Sequence, residues 1–467
     1  MPSADIDDDP LSRALAEERA RDSPQERKER LEREAKARFQ SQQIDEQIDE
    51  DREKAKRDSA IEILLLGQSE SGKSTTLKQF QILADQDAFR SQRGVWRYIV
   101  YLNLIRSVRK LLTIVSQWRE SGQDIPDLDE AFLAAQDNRF LQIQLRLSPL
   151  LQIERGLVKS MGLPDDSLPG SPSFPSSPIQ DQEYFVRPNT GWMSNLLGRW
   201  SGNRVTQIHG SIDPDDPDDP GHIVAACGVD IMELWNSPFV QAVLQQGSLR
   251  IEDEGGFFLN DIERVTSPDF VPSDSDIVRC RLKTIGISKH EFVLNRVDPL
   301  ARTTHIRIYD VGGARSQRAT WAPYFDSVKI LLFLAPISAF DQYLEEDPRV
   351  NRIKDSLELW KSLTSNSILK DVPIVLFLNK CDLLRAKLDS NVFLNKHITS
   401  YNGPNDFQNV AEYLLKRFEK IGRNTFPSRD IHVHFTTATD TSSTCSILAR
   451  VSDLVIREQL RDMRLLS

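Results

Sequence analysis

IEILLLGQSESGKST, residues 61–75, joins a short unbroken apolar run to a turn bounded by two glycines and closed by Lys-Ser-Thr. An apolar run of this length suits a strand buried on both faces. The turn fits the pattern GxxxxGK[ST] from Gly67 to Ser74, and a helical pattern follows it. Glycines let backbone N–H groups turn inward on a phosphate, and the next helix presents its positive N-terminal end to the same group. Lys73 is expected to reach the outer phosphates of a nucleotide, and the Ser74 hydroxyl to ligate Mg²⁺.

Working outward, apolar runs of the same kind recur at KILLFLA (329–335), PIVLFLN (373–379) and DIHVHFT (430–436), and the alternating run HIRIY leads into Asp310. Helical patterns lie between and after them, at about 348–366, 407–421 and 444–462. Such alternation predicts an α/β fold with a mainly parallel sheet flanked by helices. Between about 93 and 277 the strand signals stop. WRYIVYLNLIRSVRKLLTIVSQW (96–118) has helical spacing, and further helical segments are expected at 128–160 and 229–246. We therefore expect an inserted all-helical domain at 93–277, the flanking stretches 59–92 and 278–467 forming the sheet domain. A Pro/Ser/Asp-rich stretch at about 164–225, containing PGSPSFPSSP and DPDDPDDPG, lacks the apolar content to pack and reads as a disordered loop. WMSNLLGRW within it reads as a docking motif or a locally collapsed apolar patch. In the N-terminal stretch 1–58, residues 10–58 are dense in Glu, Arg, Lys, Ala and Gln with a thin stripe of Leu31, Ala35, Phe39, Ile44 and Ile48. They read as a long exposed helix, either a solvated arm or a partner-binding one.

The bulk composition sets limits on function. The 467 residues are 39% hydrophobic and 27% charged, ordinary globular material, and the formal charge of −10 argues against broad binding to nucleic acid or anionic membrane. Cys227, Cys280, Cys381 and Cys445 are scattered, which indicates neither a disulfide framework nor a zinc site. A cytoplasmic location is expected, since no apolar run approaches the roughly 18 residues that span a bilayer. Residue 2 is not glycine, no early cysteine is present and RLLS is not a prenylation box, so no lipid site is expected.

Two further motifs lie at strand ends. NKCD (379–382) closes PIVLFL, where the Asp382 carboxylate could accept from the two donors on a guanine edge. Asn379 would tie the loop together and the Lys380 stem would lie along the base. TTATDT (436–441) would offer the Ala438 N–H to the guanine oxygen; by itself it is also an ordinary helix N-cap region.

Together these residues resemble the alpha subunit of heterotrimeric G proteins, a regulatory GTPase family. In that family the phosphate loop reads close to GAGESGKST, switch I close to RxRVKTTGI and switch II DVGGQR, followed by NKKD and TCATDT. Here the same order reads GQSESGKST, RCRLKTIGI (279–287), DVGGARSQR (310–318), NKCD and TTATDT. LWNSPFVQ (234–241) and FFLNDIERVTSPDFVPSDSDIVRCR (257–281) add support, and the resemblance runs from about Ile44 to the C-terminus apart from the Pro-rich insert.

The resemblance implies a Ras-like P-loop GTPase domain with a mainly parallel six-stranded sheet, an inserted all-α helical domain, and bound GTP or GDP with Mg²⁺. It implies nucleotide contacts from Gly67, Glu70, Ser71, Gly72, Lys73, Ser74 and Thr75, and from Asp253, Glu254, Val278 and Arg279. Arg281 would be the arginine finger, Thr284 a second Mg²⁺ ligand, and Asp310 a ligand through water. Gly312 and Gly313 would sense the γ-phosphate, while Asn379, Lys380, Asp382 and Ala438 would hold the base. The implied partners are a beta-gamma dimer at the N-terminal helix and switch II, a G protein-coupled receptor at the C-terminal helix, and a downstream effector.

The sequence departs from the family at informative places. Ala314 stands where the family has the glutamine that orients the attacking water, and Ser69 replaces a phosphate-loop glycine. Losing one preorganised group costs about 10²–10³ in rate, so slow hydrolysis is expected, with a non-hydrolysing GTP-bound scaffold as the alternative. Ala319 and Thr320 replace two lysines before Trp321, and the chain ends RDMRLLS instead of a family-like DCGLF. Both departures point to altered partner contacts. A P-loop kinase or ATPase is disfavoured by Asp382.

Overall fold

Ile61–Gly67 (β1) runs through the centre of a six-stranded sheet, fully buried along most of its length. The computed structural model describes residues 60–121, 130–161, 185–186, 219–247, 250–284, 286–294, 304–344, 346–437 and 451. The expected N-terminal arm, most of the Pro-rich insert, Ala438 and, apart from Val451, the expected helix at 444–462 lie outside those residues. The account that follows concerns the unit beginning at Ile61.

The other strands are Phe185–Val186 (β2), Lys283–Thr284 (β3), Ile287–Leu294 (β4), Thr304–Val311 (β5), Ile330–Pro336 (β6), Ile374–Asn379 (β7) and Ile431–Thr436 (β8). The large sheet has the order β4-β5-β1-β6-β7-β8, parallel throughout except that β4 runs antiparallel to β5. Register pairs Leu65 with Asp310 and Gly67 with Leu334, and further along Asn379 with Thr436. The motif-bearing ends of β1, β5, β7 and β8 thus share one sheet edge. Crevices outside the carboxyl ends of parallel strands are where α/β sheets bind ligands.

The main helices are Lys73–Ala84 (α1), Arg93–Ser121 (α2), Glu130–Arg146 (α3), Pro149–Ser160 (α4), Gly228–Asn236 (α5), Pro238–Gln246 (α6), Asp274–Arg279 (α7), Arg352–Thr364 (α8), Cys381–Asp389 (α9) and Phe407–Thr425 (α10). One sheet face packs on α8 and α10, where Trp360 lies between Phe333 (ring centroids 5.2 Å apart) and Phe418 (6.2 Å). The other face packs on Leu77 and Phe80 of α1. The helical segment has a core of its own, centred on the buried face of α2 and closed by α4, α5 and α6.

Several elements differ from the sequence reading for local reasons. The helical stretch 128–160 breaks before Pro149 and the stretch 229–246 breaks before Pro238, because proline has no N–H to donate and is well placed only in a first turn. Pro220–Ala226, inside the span read as an unpacked loop, is a short helix that Asp219 caps by accepting from the Gly221 N–H. Phe185–Val186, in the same span, pairs in parallel with Lys283–Thr284. Its hydrogen-bond partners are far away in the chain, so no local pattern announces it. The edge strand β4 and helix α9 were also not anticipated.

Trp360 is fully buried and its indole N–H donates to Phe418 O at 2.9 Å. Trp360→Ala is expected to cost about 3–5 kcal/mol, seen as a lower urea midpoint; an unchanged midpoint would contradict the packing described.

Candidate functional site

The turn after β1 is shaped by backbone that ordinary residues avoid. Gly67 (φ 146) and Gly72 (φ 101) hold positive φ, and a Cβ on Gly67 would run into Leu334 O. Glu70, between them, also has positive φ (60), a conformation that costs a non-glycine residue about 1–3 kcal/mol. Lys73 starts α1, with its ammonium folded back onto Gly67 O at 2.8 Å and Gln68 O at 2.7 Å. Burial pushes the Lys73 pKa down to about 8, and the nearby Asp310 carboxylate works against that shift. The Ser74 hydroxyl donates to Asp310 Oδ2 at 3.1 Å. Asp310 Oδ1 is buried with no hydrogen-bond partner among the described residues, and burial raises the pKa of this carboxyl.

Glu70 is held by two arginines. Its Oε1 pairs with Arg281 Nη2, and its Oε2 with Arg352 Nη1 at 2.8 Å. Burial favours the neutral acid, but Arg281 and then Arg352 hold the carboxyl far below the usual carboxylate range. Arg352 also donates to Ser69 O at 2.6 Å. The Arg281 backbone is clamped from the helical segment: its N–H donates to Asn103 Oδ1 at 2.7 Å, and Asn103 Nδ2 donates to its carbonyl at 2.9 Å. Arg279 points its guanidinium at Asp261 (2.6 Å) and over the Phe258 ring (4.7 Å).

On the other side of the loop, Gly313 approaches the phosphate-loop backbone so closely that a Cβ would overlap Gln68 and Ser69. The preceding Gly312 donates its N–H to Gly286 O (3.0 Å) and accepts from the Trp321 indole (3.2 Å). A 3₁₀-helix, Arg315–Tyr324, follows Ala314. The buried Asp355 carboxylate anchors it, accepting from Arg315 Nε at 3.0 Å and from Arg318 at 3.1 and 2.5 Å. Gln68 Nε2 donates to the same carboxylate and to Arg352 O at 2.9 Å. Burial works to raise the Asp355 pKa, but hydrogen bonds from Arg318 and Gln68 hold it lowered.

At the far end, Asn379 Nδ2 donates to Ser71 O at 2.7 Å, and Thr436 Oγ1 donates to Asn379 Oδ1 at 3.0 Å. Lys380 takes a left-handed conformation (φ 66), and desolvation lowers its pKa to about 8 against the pull of Glu70. Asp382 is exposed in the first turn of α9.

These pieces line a cleft. One cavity of about 350 Å³ is bordered by Glu70, Lys73, Ser74, Arg281, Asp310 and Gly313, and also by Ser69, Ala314 and Gln317. A second, of about 250 Å³, is bordered by Glu254, Val278, Asn379 and Asp382. Gly72, Thr75, Arg279 and Lys380 border both, so the two adjoin. Glu254 is ion-paired with Lys110. Gly67 and Ser71 shape the loop from behind the cavity. Thr284 lies in β3 and Asp253 in a short 3₁₀ turn, but their side chains are outside the described residues, as is Ala438. Gln68, Asn103, Arg352 and Asp355 were missed by the sequence reading. Each acts through a partner far along the chain; Gln68 lies at a variable position of the phosphate-loop pattern, and Asn103, Arg352 and Asp355 belong to no short motif.

A family profile described as "G-protein alpha subunit" matches residues 38–455. The chain belongs to that family. Similar curated proteins include the guanine nucleotide-binding protein alpha-4 subunit of Mycosarcoma maydis, 28% identical with 97% of this chain and 95% of that protein covered. A guanine nucleotide-binding protein subunit alpha of Sporothrix schenckii is 29% identical (92% and 96% covered). The alpha-2 subunit of Neurospora crassa is 28% identical (91% and 95% covered). In this G-protein alpha subunit Ser69 and Ala314 border the same cavity, and Ser69 N is one of the atoms that Gly313 approaches.

The Asp355 anchor is testable by proteolysis. Each charge-assisted hydrogen bond is worth about 1.5–3 kcal/mol, so Asp355→Ala should speed tryptic cleavage after Arg315 and Arg318 by about tenfold or more. A cleavage rate equal to wild type would place the anchor elsewhere.

Proposed function

We propose that this G-protein alpha subunit is a guanine-nucleotide-dependent signal transducer that binds GTP or GDP with Mg²⁺ and hydrolyses GTP slowly. The observation that carries this reading is the single cleft with Lys73, Ser74 and Asp310 at one end and Asn379, Lys380 and Asp382 at the other. The length of such a cleft suits a nucleotide, with phosphates at the helix N-terminus of α1 and the base against α9. The relatives' names, guanine nucleotide-binding proteins, accord with it.

The donor set fits Mg²⁺. An ion that keeps several waters and shares phosphate oxygens needs few protein ligands. Ser74 Oγ would ligate directly, Thr284 would be a second ligand, and the unpartnered Asp310 Oδ1 would accept from a metal-bound water. The ion would neutralise charge developing on the β and γ phosphates.

Arg281 lies next to this region on its Asn103 clamp, so releasing Glu70 would let its guanidinium turn to the γ-phosphate. Gly313 would donate its N–H there, transmitting nucleotide state to the helix that carries Arg315, Arg318 and Trp321. Residues 59–92 and 278–467 would form the GTPase domain, 93–277 the inserted helical domain and 1–58 an arm. A beta-gamma dimer, a receptor and an effector are the proposed partners, at switch II and the two terminal helices. No described helix is long and apolar enough to cross a membrane. A second reading, a GTP-bound scaffold, draws support from the Gln68 and Asp355 anchor, which holds switch II without any nucleotide contact.

Two substitutions test the reading. Asp382→Asn turns an acceptor toward the guanine donors into a partial donor. GTP affinity should fall at least about tenfold while xanthosine triphosphate, which has a carbonyl in place of the amine, should gain; unchanged GTP affinity would sink the base assignment. Ala314→Gln should speed single-turnover hydrolysis by at least about tenfold, and equal rates would remove the case for impaired turnover.

A further inference from the structure

The side chain absent at Ala314 has a neighbour of the same chemistry one turn on. Gln317 N–H donates to Ala314 O at 3.0 Å, closing the first turn of the 3₁₀-helix. In such a turn residues three apart stand on the same side. The Gln317 carboxamide accordingly folds back over Gly312, and a Cβ on that glycine would overlap Gln317 Oε1. Glycine at 312 is what leaves room for it. The side chain is half-buried, forms no hydrogen bond among the described residues, and borders the cavity shared by Lys73, Ser74, Asp310, Gly313 and Ala314. A carboxamide that spends neither end on a protein partner among the described residues has a donor and an acceptor to offer at the cavity wall.

We propose that Gln317 is a catalytic residue that orients the attacking water in place of the glutamine missing at position 314. This rests on the GTP reading of the cleft. Its Oε1 accepts a hydrogen bond from the water, and its Nε2 donates to a γ-phosphate oxygen. The water oxygen bonds to the γ-phosphorus as the bond to the β–γ bridging oxygen breaks. That electron pair leaves with GDP, and the water proton passes to a γ-phosphate oxygen, giving inorganic phosphate. Reaching from one turn farther, Gln317 holds the water less rigidly than a residue at 314 would, so turnover is slow yet present.

The test uses the full chain with GTP and Mg²⁺, comparing wild type, Gln317→Ala, and Gln317→Ala combined with Ala314→Gln. Affinity for a fluorescent GTP analogue and intrinsic tryptophan fluorescence are read beside single-turnover hydrolysis. The expected result is a fall of about 10²-fold in the rate for Gln317→Ala, with affinity and fluorescence unchanged and the rate recovered in the combined variant. An unaltered rate, a wild type that does not hydrolyse, or a fall accompanied by lost affinity or not recovered by Ala314→Gln would overturn the assignment. Failure of the wild type to bind the GTP analogue would instead bring down the nucleotide reading itself, and the role of Gln317 with it.

Discussion

The cleft depends on one close approach, between the α-carbon of Gly313 and the backbone of Gln68 and Ser69. Because no side chain fits between them, the end of β5 and the turn after β1 act as one surface. Asp310 is thereby set beside Ser74, and the 3₁₀-helix after Ala314 starts at the rim of the cavity. Parallel pairing of β1 with β5 brings the two ends level, and the glycine allows the last step. A larger residue would have to push the phosphate loop and switch II apart.

Around this contact the structure places two acidic centres, each gathering several donors. Glu70 holds Arg281 and Arg352; Asp355 holds Arg315, Arg318 and Gln68. Arg352 starts the helix that carries Asp355, and Gln68 lies two residues before Glu70, so the centres are linked through both backbones. Pairing buried charges adds little net stability, since desolvation offsets much of the attraction, while losing one partner is costly. Their effect here is geometric. They hold Glu70 in a strained left-handed conformation and hold the 3₁₀-helix after Ala314 against α8.

Much of the sheet was legible because its signals are local. Unbroken apolar runs gave β1, β6 and β7 nearly residue for residue, the run interrupted by His432 and His434 gave β8, and GQSESGKST and NKCD sit at strand ends, as their chemistry requires. Elements whose hydrogen bonds come from distant chain were not legible. Phe185–Val186 becomes a strand only because Lys283–Thr284 lies alongside it, and β4 has an irregular pattern because an edge strand need not be apolar on both faces. Pro149 and Pro238 divided helices that periodicity alone had run together.

From its sequence alone this protein is a member of the G-protein alpha subunit family with two altered positions, Ser69 and Ala314, near the reacting end of its expected nucleotide. Motif order, spacing and apolar runs are short-range properties, and the chain carries them without being folded. Only the tertiary structure decided that Arg281 pairs with Glu70, that Gln68 reaches an aspartate 287 residues away, and that Gln317 lies over Gly312. Those contacts depend on side-chain direction and backbone approach within an angstrom or so, which no spacing along a chain encodes.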